Sequence, residues 1–188
     1  RKEVMVYLCY YNSPVGRLLM TSDGESLTGL WLEKQKYYAA TLSEEGEENA
    51  NLPVFVKTGE WLNEYFRKEE PTISDLPLAP QGGEFRQVVW KILCDIPYGK
   101  TMTYGEIARK VAAQSGRKTM SARAVGGAVG HNPISIIIPC HRVIGSDGSL
   151  TGYAGGTDKK IKLLETEGVD ITGLRKLTKN GRKMYVGD

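Results

Sequence analysis

Val4–Tyr11 alternates apolar and polar positions and is rich in aromatic and β-branched residues, the signature of a half-buried strand. Arg17–Thr21 and Leu27–Leu32 repeat that character, and Asn12-Ser13-Pro14 and Asp23-Gly24 supply turns between them. The three runs predict an antiparallel meander. Ser43–Asn51 is acidic and reads as a mobile loop. Pro53 then opens a helix, because Val54, Thr58, Trp61, Leu62, Tyr65 and Phe66 fall on one face at helical spacing. Pro71, Pro77, Pro80 and Gly82-Gly83 mark a linker. The reading therefore places an N-terminal domain at 1–80 and a second at 81–188.

The second half reads mainly as helices. Phe85, Val88, Val89 and Ile92 form one stripe that ends before Pro97. Thr103-Tyr104-Gly105-Glu106 has capping-box spacing and starts a helix with Ile107, Ala108, Val111 and Ala112 inward. A further helix runs from about Ser121 to Gly130, after Gly116. Two short helices joined by a glycine-containing turn predict a helix-turn-helix. Ile136–Ile138 reads as a short buried strand ending at Pro139. Asp147-Gly148 reads as a turn, Asp158 as the cap of a last helix, and Gly168 as the residue just past its end. Residues 175–188 are basic and read as a frayed tail. The fold class expected is α+β.

Composition narrows the setting. With 188 residues, 40% hydrophobic and 25% charged, the chain can bury a real core, which argues against a wholly disordered chain. No apolar run is long enough to span a bilayer. The N-terminal residues lack the basic-then-apolar pattern of a secretory signal. Three Cys without CxxC spacing argue against a disulfide framework, so a reducing cytoplasm is expected. Charge is unevenly spread: residues 1–80 hold 8 Lys/Arg against 13 Asp/Glu, and residues 81–188 hold 17 against 9. A basic C-terminal half points to a polyanionic partner.

Two local features carry the chemistry. Ser121-Ala122-Arg123-Ala124-Val125-Gly126-Gly127-Ala128-Val129-Gly130 is an unusually slim recognition helix. Two interior glycines cost about 1 kcal/mol each relative to alanine. A face of Ala122, Ala124, Gly126 and Gly127 suits a minor groove ~6 Å wide better than major-groove reading, which would need several long polar side chains. Arg123 alone is long and charged, fit to wedge into a base stack or touch a phosphate. The second feature is Pro139-Cys140-His141-Arg142-Val143. A Cys nucleophile needs a base or positive charge to become thiolate. Cys140 and His141 can cooperate only if the chain turns there, since strand neighbours point to opposite faces. Cys9 and Cys94 read as core. Three scattered Cys and two His give no zinc-ligand spacing, so no metal is expected.

Tyr104, Arg123-Ala124-Val125-Gly126, Asn132-Pro133, Ile138-Pro139-Cys140-His141-Arg142-Val143, Gly152-Tyr153-Ala154-Gly155-Gly156 and Leu163–Gly168 occur in an order that resembles the O6-alkylguanine-DNA alkyltransferases. The likeness runs from about Phe85 to Gly168. The first half resembles the family more loosely, in element order and in Ser13-Pro14-Val15-Gly16. The resemblance implies a ribonuclease H-like N-terminal domain and a C-terminal helix-turn-helix domain. It implies direct reversal of DNA damage, with an alkyl group passing from guanine O6 to Cys140 and inactivating the protein after one turnover. The partner would be duplex DNA containing O6-alkylguanine, met by a monomer without cofactor, away from membranes, in the cytoplasm or on a bacterial nucleoid. His141 and Glu167 match the family's relay, and the resemblance implies that Asn132 braces the site and that Tyr104 donates to the leaving base. It also implies that Val143, Tyr153 and Ala154 line the base pocket and that Arg123 fills the space left by the flipped nucleotide, whose extrusion costs a few kcal/mol. The rivals are a damage-binding module without chemistry, whose relatives carry Trp at the Cys140 position, and a Cys-dependent hydrolase.

Overall fold

The structure, a computed structural model, describes residues 5–42, 45–150, 152–177 and 181–186. Val4 of the first predicted strand, Ser43 and Glu44 of the acidic loop, and residues 178–180 and 187–188 of the basic tail lie outside them. The chain divides into two compact units, residues 1–81 with 133–137, and residues 82–132 with 138–188. No described helix is long and apolar enough to cross a membrane.

In the first unit, β1 (Tyr7–Ser13), β2 (Gly16–Ser22) and β3 (Leu27–Leu32) form the expected antiparallel meander. The sheet order is β3-β2-β1-β4. The fourth strand, β4 (Glu47–Glu48), pairs parallel to β1 inside the segment read as an acidic loop. β2 lies between β3 and β1 and is buried along its last five residues rather than alternating. Helix α1 (Pro53–Phe66) buries Val54, Phe55, Thr58, Trp61, Leu62 and Tyr65. Phe55 thus takes the inward place expected for Phe66. The loop at 133–137 sits on the edge of β3, where the Leu30 N–H donates to Pro133 O and the Ser135 N–H to Leu30 O, both at 2.8 Å.

That loop corrects the strand expected at Ile136–Ile138. The three isoleucines are buried, but Ile136 has φ of 70° and the Ile137 N–H donates back to Ser135 O at 2.8 Å. This is a γ-turn with positive φ, a strained conformation for a β-branched residue. Apolar burial without extended backbone is what the three-isoleucine run conceals.

The second unit holds α2 (Glu84–Cys94), β5 (Met102–Thr103), α3 (Tyr104–Gln114), α4 (Ala122–Gly130), β6 (Val143–Ile144), α5 (Thr157–Thr166), β7 (Arg175–Leu177) and β8 (Lys183–Tyr185). Helix α2 is rotated from the expected stripe. It buries Val89, Trp90, Ile92 and Leu93 and leaves Phe85 exposed, because the bulky Trp90 turns inward and its indole N–H donates to Ala128 O of α4 at 2.9 Å. Helix α3 starts as the capping spacing predicts: the Glu106 N–H donates to Thr103 Oγ1 at 3.0 Å, and Ile107, Ala108, Val111 and Ala112 point inward. Thr103→Ala is expected to lower stability by about 1 kcal/mol, read as a shifted urea midpoint at unchanged slope. Ser121 caps α4 through the Ala124 N–H.

Two further corrections concern the C-terminal end. Helix α5 is capped by Gly156, with Asp158 in its first turn rather than at the cap. Within the expected frayed tail, Arg175–Leu177 and Lys183–Tyr185 are ordered strands: β7 and β8 pair antiparallel, and β7 joins the Gly145–Leu150 loop through Arg175 N–H to Gly148 O and Leu150 N–H to Arg175 O. Leu150, Leu164 and Leu174 form a small core there, covered by Val169 and Val186. Cys9 and Cys94 are half-buried rather than core.

Candidate active site

Cys140 follows a sharp change of direction. Pro139 sits at φ −82° and ψ 64°, and the Cys140 N–H donates to Ile138 O at 2.8 Å, an inverse γ-turn. Cys140–Arg142 then form one 3₁₀ turn, in which successive side chains fan out by about 120° instead of alternating. The turn that Cys140 and His141 need in order to cooperate is therefore present. β6 leaves this turn and pairs parallel with β5, Met102 opposite Val143 and Thr103 opposite Ile144. That pairing fixes Thr103, and hence Tyr104 at the start of α3, beside the cysteine segment.

The carboxylate arrives from α5. Gly168, at φ 76°, closes the helix in a Schellman motif: its N–H donates to Glu165 O at 2.9 Å and the Val169 N–H to Leu164 O at 3.0 Å. A residue with Cβ adopts that left-handed conformation only at a cost. Glu167 is thereby held at the C-cap and buried. Its Oε2 accepts from His141 Nε2 at 2.5 Å. Its Oε1 accepts from Arg142 Nε at 2.7 Å and from the Gly99 N–H at 3.0 Å. Arg142 Nη1 also donates to Ile96 O at 2.7 Å.

Electrostatics follows from this geometry. Burial alone would raise the Glu167 pKa, but the His141 and Arg142 hydrogen bonds and charges outweigh it and hold the carboxyl at about 2. An ionised carboxylate only accepts, so His141 Nε2 carries the proton and the neutral ring keeps its lone pair on Nδ1. Burial keeps His141 neutral by pushing its pKa below the usual value, against the pull of Glu167. The Cys140 thiol is buried, which raises its pKa; the Asn132 side-chain hydrogen bond, the Lys160 charge and nearby backbone N–H groups act the other way. The resting thiol therefore stays protonated at neutral pH and needs a base.

Other predicted residues converge on the sulfur. Asn132 is buried just after α4, and its Nδ2 donates to Ile138 O at 2.8 Å. Tyr104 lies between α4 and the Gly152 backbone. A Cβ at Gly152 would come within 3.1 Å of the Tyr104 hydroxyl, and φ there is 93°, so glycine permits this approach. Burial and the Cys140 charge push the Tyr104 pKa up to about 12. Tyr153 feels the same charge, and its enclosed hydroxyl has no hydrogen-bond partner among the described residues. Ala154 is half-buried and Val143 fully buried. Ala122, Arg123, Ala124 and Gly127 stand exposed on α4, while Gly126 faces the Tyr104 ring.

Arg142 and Lys160 escaped the sequence reading as site residues. Lys160 is wholly buried, its ammonium donates to Val143 O, and burial lowers its pKa to about 8 against the pull of Cys140. The signal was there: Lys160, Leu163, Leu164 and Glu167 share one face of α5 at i, i+3, i+4 and i+7, so two opposite charges interrupt an apolar stripe. Among the described residues no group of His, Cys, Asp and Glu comes together to hold a metal.

Fold and site together define a cysteine-centred protein whose buried thiol, histidine and carboxylate are built into a helix-turn-helix unit. Comparison with known proteins agrees. Residues 84–169 match the DNA-binding domain of 6-O-methylguanine DNA methyltransferase, and residues 6–80 match its ribonuclease-like domain. The chain is 46% identical over 162 residues to a methylated-DNA–protein-cysteine methyltransferase of Haemophilus influenzae, covering 86% of each. It is 42% identical to one of Methanosarcina acetivorans, covering 87% of this chain and 99% of the relative. The crystal structure of Mycobacterium tuberculosis OGT in complex with DNA superposes with TM-score 0.73 and 43% identity, over 86% of this chain and 92% of the other. The chain belongs to the 6-O-methylguanine DNA methyltransferase family.

Proposed function

We propose that this chain repairs DNA by taking the alkyl group of an O6-alkylguanine onto Cys140 Sγ, once per molecule. The observation that carries the reading is the buried Cys140–His141–Glu167 arrangement, with the 2.5 Å His141–Glu167 hydrogen bond fixing which ring nitrogen is basic. The thiol proton leaves toward His141 Nδ1. The sulfur attacks the alkyl carbon, the S–C bond forming as the C–O6 bond breaks, and guanine departs as an anion. The Tyr104 hydroxyl donates a hydrogen bond to that anion. Asn132, through its bond to Ile138 O, holds the cysteine turn in place, and Val143, Tyr153 and Ala154 enclose the base. The helix-turn-helix supports duplex DNA as the partner, with the Ala122, Arg123, Ala124, Gly126 and Gly127 face of α4 lying in the minor groove and Arg123 filling the space of the rotated nucleotide. The 1–80 segment then serves as the ribonuclease-like domain and 81–188 as the reacting domain of a monomer.

The product is a thioether, which thiol reductants do not reverse. Mixing the protein with excess duplex carrying one O6-methylguanine is expected to add one methyl per chain, located on the Cys140 peptide by mass spectrometry, with no second turnover. Tight binding without mass gain would instead make the chain a damage-binding module.

A further inference from the structure

Beyond α4, one basic feature of the helix-turn-helix has no part in the chemistry above. A cleft of about 500 Å³ lies between the end of α3 and the start of α4. Its floor is small and apolar: Ala108 and Ala112 are buried and Met120 half-buried. Its rim carries Arg109, Arg117 and Lys118, all exposed. Local backbone geometry assembles the three. The Arg117 N–H donates to Ala112 O at 2.9 Å, folding the turn back over the last turn of α3, which Arg109 precedes by three residues. Among the described residues no ion pair or side-chain hydrogen bond engages any of these cations. Glu106, the acid nearest to Arg109 in sequence, accepts from the Thr103 hydroxyl instead.

We propose that this cleft holds the sugar–phosphate backbone of duplex DNA, adding phosphate contacts beside those of α4. The proposal rests on the reading of α4 as the DNA-facing helix. Deoxyribose presents an apolar face that suits the alanine and methionine floor, and the phosphates suit a rim of guanidinium and ammonium groups. Ala122 lines the same cleft, so a strand seated there continues onto the exposed Ala122–Arg123–Ala124 face. That continuity favours DNA over an acidic peptide. Such contacts carry no base information, which fits a protein that must find a lesion in any sequence.

The test is the salt dependence of binding to a duplex with one O6-methylguanine, for the wild type and for R109Q/R117Q/K118Q. Each phosphate contact contributes about −0.9 to the slope of log K against log salt, so the triple variant is expected to flatten the slope by about 2 to 3. Its affinity falls at least about tenfold at low salt, and the gap narrows as salt rises. R109K/R117K keeps the charges and is expected to keep the wild-type slope. Arg123→Ala weakens binding with a slope change of at most about 1. An unchanged slope in the triple variant, with Arg123→Ala still weakening binding, overturns the cleft and leaves α4 standing. If Arg123→Ala has no effect either, the α4 reading fails too. Weaker binding by the triple variant without a slope change means lost packing, and overturns the cleft. So does a polyglutamate peptide that binds the wild type but not the triple variant while the DNA slope stays fixed.

Discussion

Glu167→Gln is expected to slow alkyl transfer by about 10²- to 10⁴-fold while leaving the chain folded. The amide oxygen can still accept from Arg142 Nε and the Gly99 N–H, but the amide nitrogen then faces His141 Nε2, which in the wild type donates to the carboxylate at 2.5 Å. A donor opposite Nε2 forces that nitrogen to accept, and the ring proton moves to Nδ1. The base that should take the Cys140 proton is then blocked, although no atom has moved far. Glu167→Ala adds a stability defect of about 3–5 kcal/mol, because the buried Arg142 guanidinium loses its counter-charge. The pH dependence of the wild type follows from the same carboxylate. A group held at about 2 in the folded chain and near its ordinary value of 4.5 in the unfolded chain stabilises the fold by about 3 kcal/mol above pH 4.5. That stability is lost as pH falls from 4.5 toward 2. Urea unfolding across that window is expected to show a steeper fall for the wild type than for Glu167→Gln. Parallel curves would mean that the carboxylate is not the group described here. Single-turnover transfer at pH 7, followed by loss of methyl from a labelled duplex, gives the rate; a loss below tenfold would remove Glu167 from the relay.

What could be read from the sequence follows the range of the interactions involved. The Thr103–Glu106 cap, the inward face of α3 and the Gly168 helix end are local, set by residues three to seven apart, and the residue order alone declares them. The run from Pro139 to Val143 is equally local, and so is the need for a turn between Cys140 and His141. Rotation of α2 is not local: Trp90 turns inward because Ala128, 38 residues later, offers a carbonyl to its indole. Ile136–Ile138 misleads because burial without backbone pairing writes the same apolar run as a strand. The pairing of β7 with the Gly145–Leu150 loop depends on a small distant core around Leu164, which lysine- and arginine-rich composition hides. Arg142 lay inside the most conspicuous motif, yet only its partners, Glu167 and Ile96 O, give it a task.

Lys160 is the residue whose removal separates activity from stability. Its ammonium is fully buried, donates to Val143 O, and is one of the charges that favour a Cys140 thiolate. Lys160→Met keeps the length and apolar stem but deletes the charge. Losing that charge raises the Cys140 pKa, so the thiolate fraction at fixed pH falls, and the more basic sulfur recovers only part of the loss through greater nucleophilicity. The expected net loss in transfer rate is about tenfold at pH 7, with the rising limb of the pH–rate profile displaced upward. Stability moves the other way. A lysine of pKa about 8 when folded and 10.5 when unfolded costs the fold about 3 kcal/mol below pH 8, a cost that fades as pH rises to 10.5. Methionine abolishes that cost but strands the Val143 carbonyl, at about 1–3 kcal/mol. The variant is thus expected to be more stable than the wild type by about 1 kcal/mol at neutral pH, with the advantage shrinking above pH 8. Equal rates and an unmoved pH profile would show that Cys140 does not feel this charge. A variant that is both slower and less stable at pH 7 would show that Lys160 acts through packing rather than charge.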